Sequence, residues 1–157
     1  MGNINDIKQI INNPKTVKTV GTVGIDGVPH IAVKQTLHVN DEGKIQYIEL
    51  FESSKSYRNI TGSLWYAKKV SISLLSENKE SYEIVGYPDQ ILISGREFEK
   101  AYTETLETKG YDIAAIITII PESVENNSPN IKFAEQDKTR LFYKHLDRLS
   151  KDNSKNN

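Results

Sequence analysis

Between Thr16 and Ser76 the residues leave few options for the chain: three strands in succession, then a short helix, then a fourth strand. Val17 to Ile25 is rich in Val and Thr, residues that suit a pleated, half-buried surface. Asp26-Gly27 interrupts it with the tolerance of positive φ that a tight antiparallel hairpin needs. Pro29 then opens the return strand, where a missing N–H costs least, and that strand is expected to run from about His30 to Val39. Asn40-Asp41-Glu42-Gly43 marks a second turn. Lys44 to Phe51 reads as the third strand, with Ile45, Tyr47 and Glu49 on one face and Ile48 and Leu50 on the other.

The rest of the chain extends this pattern. Ile4, Ile7, Ile10 and Ile11 recur at helical spacing until Pro14 stops them, which predicts a short helix across one end of the sheet. Val70 to Leu75 alternates apolar residues with serines, as a half-buried strand does. Tyr82, Ile84 and Gly86 suggest a further strand, continued by Ile91 to Ile93 after a turn at Pro88-Asp89. Ser94 and Glu97 have capping-box spacing. The helix they introduce should bury Phe98, Ala101, Tyr102, Thr105 and Leu106 and stop at Gly110. Ile113 to Ile120 has the apolar run of a central strand, and Glu122 to Asn130 reads as loop. Leu141, Phe142, His145, Leu146 and Leu149 mark a last amphipathic helix before a frayed tail. Six or seven short antiparallel strands with late helices describe an α+β chain built on a closed or partly closed β-barrel, since closure removes exposed edges.

Composition narrows the function classes. Over 157 residues, 20 Lys+Arg stand against 21 Asp+Glu, so the chain has no electrostatic footprint for nucleic acid or an anionic membrane. There is no cysteine, which excludes disulfides, thiolate metal sites and Cys nucleophiles. No apolar run approaches the roughly 18 residues of a membrane span. MGNINDIKQI carries no hydrophobic signal region, so a cytoplasmic protein is expected.

Chemistry is concentrated where the third strand hands over to a helix, at Phe51-Glu52-Ser53-Ser54-Lys55-Ser56. Unpaired N–H groups at a helix start attract anions, and serine hydroxyls with an ammonium would complete a phosphate cradle. The same residues also serve if Ser53 or Ser54 merely caps the helix and Lys55 is solvated. Lys34 follows Ile31-Ala32-Val33, a charge within an apolar strand, which either snorkels to water or serves a bound anion. His30, His38 and His145 lack the spacing of a metal site, and no nucleophile elbow, dinucleotide fingerprint or P-loop is present.

Taken in order, GTVGIDGVPHIAVK, the second acidic-Gly hairpin, KSYRNI and VSISL resemble the pyridoxamine 5'-phosphate oxidase-like flavin-binding split barrels. The resemblance covers roughly Thr16 to Ser76, and more loosely the whole length. It implies an α+β fold, an antiparallel split β-barrel of about six strands with peripheral helices, forming one FMN-binding domain over residues 1–150 with a disordered tail at 151–157. It also implies a homodimer with FMN between the subunits. On this resemblance Lys55 and Ser56, with Ser54 nearby, hold the FMN phosphate, and Asn59 matches the helix asparagine. Val33 and Lys34 run along the isoalloxazine, which Ile48 and Glu49 also touch. The function implied is flavin-dependent oxidoreduction with a small-molecule substrate or donor such as NAD(P)H. The alternatives are a flavin-binding electron carrier or sensor, and a haem-handling relative using His30, His38 or His145. The chain departs from the true vitamin B6 oxidases in ending LFYKHLDRLSKDNSKNN, without their C-terminal substrate-gripping segment. Their second-strand Arg is also absent, leaving Lys34 as the nearest cation, so oxidation of pyridoxamine phosphate itself is not expected. Trp65 and Tyr66 are expected to pack at the dimer interface or to cover the flavin edge.

Overall fold

A computed structural model describes residues 2–140 together with 146, 148 and 149. The final helix expected over Leu141, Phe142, His145, Leu146 and Leu149 lies outside the described residues except at Leu146 and Leu149, and the tail lies outside them entirely. The strands are β1 (Val17–Val23), β2 (Pro29–Val33), β3 (His38–Val39), β4 (Ile45–Glu49), β5 (Val70–Leu75), β6 (Ser81–Leu92) and β7 (Ala115–Asn126). The helices are α1 (Lys8–Asn12), preceded by a 3-10 turn at Ile4–Ile7, then α2 (Lys55–Tyr66), α3 (Arg96–Lys109) and α4 (Pro129–Thr139).

All the strand pairings are antiparallel, and the order across the sheet is β2-β1-β5-β6-β7-β4-β3. This order forces curvature. β2 and β3 are opposite edges of a seven-stranded sheet, which if flat would hold them about 29 Å apart. Yet only residues 34–37 join them, a span of at most about 19 Å. The sheet therefore curls into a barrel whose edges meet at a short seam. The single strand expected from His30 to Val39 is broken there, at residues 34–37, where the chain passes from pairing with β1 to pairing with β4.

The seam is fastened from both sides. Lys34 N–H donates to Lys18 O at 2.9 Å, and Gln35 Nε2 donates to Thr16 O at 2.6 Å. Lys18 Nζ reaches Leu37 O at 3.0 Å, while Ile48 N–H donates to the Thr36 hydroxyl at 2.9 Å. Strand alternation fills the interior: Val20, Ile45, Tyr47, Ile72, Ile84, Ile117 and Ile119 are all fully buried. The expected N-terminal helix forms in two pieces, and its Ile7 and Ile11 join this core. Among the described residues there are seven strands rather than about six, the additional one being the two-residue β3 beyond the seam.

Three hairpins share one backbone construction, the β5–β6 one running from Ser76 to Glu80 with Lys79 at positive φ (62°). In the β1–β2 one, Gly24 N–H donates to Val28 O, Gly27 N–H donates to Gly24 O, and Asp26 Oδ1 accepts from Val28 N–H. Only Gly27 takes positive φ there (77°); Asp26 does not, contrary to the pair of left-handed residues that the dipeptide suggests. This is a tight turn followed by a left-handed bulge residue. Asn40 to Lys44 repeats the pattern, with Asn40 Oδ1 accepting from Glu42 and Lys44 N–H groups.

β6 and β7 are longer than their residues suggest. Pro88-Asp89 does not end β6 in a turn, and β7 runs on to Asn126 through the segment expected as loop. The ladder absorbs Gly86, Pro88 and Pro121 at register shifts between Val85 and Gly86 and between Pro88 and Gln90. α3 also differs. Its N-cap is Gly95 with no side-chain cap, so the expected Ser94 capping box is not made; Glu97 instead accepts from Gln46 Nε2 at 3.2 Å. Of its expected buried stripe only Thr105 is buried, with Phe98, Ala101 and Tyr102 half-buried and Leu106 exposed.

Candidate functional site

The seam opens a cleft of about 270 Å³ where β2 and β4 end. Val33, Lys34, Gln35 and Thr36 form one wall and Ile48, Glu49, Leu50 and Phe51 the other, with Thr105 and Lys109 of α3 at the mouth. Val33, Ile48, Leu50 and Phe51 give it apolar wall surface beside the polar Gln35, Thr36, Thr105 and Lys109, and two charges lie at its floor. There Lys34 Nζ lies 2.6 Å from Glu49 Oε2, with side chains 11% and 1% exposed. Glu49 faces inward because it continues the alternation of Ile45 and Tyr47 on β4. Lys34 Nζ also sits 5.5 Å from the centre of the Tyr47 ring, within cation–π range. Burial, and secondarily the Glu49 charge, push the Tyr47 phenol well above its ordinary range. Its Oη has no hydrogen-bond partner among the described residues.

A second cleft, of about 220 Å³, lies at the other end of β2. The β1–β2 hairpin supplies Gly24 to Asp26 and Val28 to His30, and α2 supplies Lys55, Arg58 and Asn59. Ser54 is the α2 N-cap, its Oγ accepting from Tyr57 N–H at 2.9 Å. Lys55 and Arg58 are exposed. Asn59 Nδ2 donates to Thr22 Oγ1 at 3.0 Å, tying the helix to β1. Ser56 shares the buried face of α2 with Ile60 and Ser63, and its Oγ has no hydrogen-bond partner among the described residues.

The site residues expected from sequence thus fall into two groups joined by β2. Val33, Lys34, Ile48 and Glu49 line the seam cleft, whereas Lys55 and Asn59 line the hairpin cleft; Ser54 and Ser56 begin the helix between them. Between the clefts β2 exposes Ile31 and Val33, 71% and 63% accessible. Thr36, Arg58, Thr105 and Lys109 escaped the sequence reading. Only Thr105 carried a signal, as a polar residue on an otherwise apolar helix stripe. His30 lines the hairpin cleft and His38 is exposed, while His145 lies outside the described residues. No group of three His, Cys, Asp or Glu residues that could hold a metal occurs among the described residues. Among the same residues no helix is long and apolar enough to cross a membrane.

The residues fit an FMN. Apolar walls suit a flat ring, and two exposed cations beside the start of a 12-residue helix suit its phosphate.

No family profile and no curated protein sequence matches the chain. Solved structures do. Group A Streptococcus HupZ is 24% identical, with a TM-score of 0.65 over 80% of this chain and 94% of that one. An FMN-binding protein from Syntrophomonas wolfei is 18% identical, with a TM-score of 0.63 over 80% of this chain and 86% of that one. A candidate pyridoxamine 5'-phosphate oxidase from Lactobacillus delbrueckii is 20% identical, with a TM-score of 0.56 over 78% of this chain and 88% of that one. Strand order, the edge-to-edge seam and these likenesses agree: the chain has the pyridoxamine 5'-phosphate oxidase-like split-barrel fold.

Proposed function

We propose that this protein binds FMN and acts in flavin-dependent oxidoreduction. The observation that carries the reading is the seam cleft, whose apolar walls gather Val33, Lys34, Ile48 and Glu49 at the meeting of the sheet edges. Val33, Ile48, Leu50 and Phe51 would hold the ring, and Lys55 with Arg58 at the start of α2 would hold the phosphate. The exposed Ile31 and Val33 give an apolar track along β2 from one cleft to the other. When bound, the flavin supplies the redox chemistry, with a reduced nicotinamide as the proposed donor. The chain supplies position and electrostatics. The two buried titratable groups of the cleft floor, Lys34 and Glu49, are tied to each other.

The test is uptake of FMN by the purified protein, followed by quenching of flavin fluorescence and by the visible spectrum. One FMN per chain, bleached by NADPH or NADH, supports the reading. A protein that takes up no FMN, or that carries a Soret band instead, overturns it. Within this scheme Lys55→Ala is expected to weaken FMN binding roughly 10- to 100-fold, the worth of a charge-assisted hydrogen bond to phosphate. Unchanged affinity in the same titration would make Lys55 a solvated helix residue.

A further inference from the structure

Among the described residues, Lys34 and Glu49 are the only ionisable side chains on the two walls of the seam cleft; they are 2.6 Å apart, Glu49 fully buried and Lys34 largely so. Three further ionisable groups lie near them. Lys18 keeps its ammonium on the Leu37 and Gln35 carbonyls of the seam and does not line the cleft. Tyr47, beneath the Lys34 ammonium, has its phenol held neutral by burial. Lys109 is exposed at the mouth, where water and salt screen it. Among the described residues, Glu49 is the carboxylate paired with the Lys34 ammonium at the floor.

Resting on the reading that this cleft takes the flavin ring, we propose that Glu49 is a positioning residue that acts through Lys34 to set the charge the ring meets. Alone, the Lys34 ammonium would favour the anionic, reduced ring over the neutral, oxidised one. Paired with Glu49, it presents a nearly neutral dipole and withholds that preference. The cleft is thus built for an occupant uncharged at this end, and it keeps a bound flavin at low potential. Glu49 also orients the cation: its Oε2 holds Lys34 Nζ, while its backbone carbonyl is fixed by Ala114 N–H at 2.8 Å.

The experiment is the midpoint potential of bound FMN, with the affinity for oxidised FMN measured in parallel. Glu49→Gln keeps the size of the side chain and an acceptor for Lys34 while removing the charge. Its preference for reduced over oxidised FMN is expected to rise about tenfold, close to 30 mV more positive for a two-electron couple. Lys34→Met is expected to move the potential the other way, and the double variant to return near the wild-type value. If Glu49→Gln does not fold, the negative shift in Lys34→Met and its reversal in the double variant carry the test. FMN-loaded single variants with unshifted potentials would overturn the role of Glu49 while leaving the flavin reading intact. A wild-type protein that binds no FMN would overturn both. A purely structural pair would change thermal stability and leave the potentials alone.

Discussion

Lys18 is a buried cation with no carboxylate partner among the described residues. Its side chain is nearly inaccessible, and its Nζ donates to the backbone carbonyls of Leu37 and, at 3.5 Å, Gln35. Burial lowers its pKa below the ordinary 10.5. The unfolded chain then keeps this proton to higher pH than the folded one, so stability rises with pH between the lowered value and 10.5. The penalty for burying the charge is present in full below that window. We expect the urea midpoint of the wild type, measured relative to Lys18→Met, to climb as pH approaches 10.5. The difference cancels other lysines common to both proteins, and parallel pH profiles would refute the assignment. Of Lys18 and Lys34, the sequence singled out only Lys34, because three apolar residues precede it. Their partners were not legible. Glu49 and the 34–37 carbonyls come within reach only once the sheet has curled, a long-range event that no local pattern encodes.

At the scale of elements, the β6–β7 ladder is the part of the sheet that local signals misread. Gly86, Pro88 and Pro121 look like punctuation, yet each sits within a 12-residue strand, because bulges absorb what the ladder lacks. Gly86 is there for space. A Cβ on it would lie 2.4 Å from Ile120 O and 3.0 Å from Ile119 Cγ2, in the middle of the sheet. Gly86→Ala must push β6 from β7 and is expected to cost about 1–3 kcal/mol, read as a lower urea midpoint. Gly62→Ala on α2, where an added Cβ meets nothing within 4 Å, is the control and should be neutral or mildly stabilising. Equal effects of the two substitutions would show that the close approach does not limit β6. Elements with a clear period or turn chemistry, namely the Asp26-Gly27 hairpin, β5 and α2, were readable from the residues. The α3 boundary was not, since Gly95 takes the cap position one residue after Ser94.

For the whole molecule, one group of exposed apolar residues lies on the β1–β2 unit and the end of α2. Ile31, Val33 and Ile25 of the β1–β2 unit are uncovered, as are Trp65, at 81%, and Tyr66 at the end of α2. Tyr66 lines a groove with Val23, Ile25, Arg58, Asn59, Gly62 and Lys68, next to the hairpin cleft. Contiguous apolar surface of this kind favours a protein partner. We propose that a second copy covers it. Light scattering is expected to give twice the 17.8 kDa chain mass, and Ile31→Glu to return it to one chain. A monomeric wild type would reject the proposal. The seam has a consequence in time as well as in space. It joins edges that are neighbours in sequence, but the edges can meet only when β4 finds β7, whose Gln46–Thr118 contact spans 72 residues. Non-local pairing of this reach is slow relative to hairpin closure. During refolding, therefore, the hairpins are expected to form early, and the seam cleft to be completed only after β4 has joined β7.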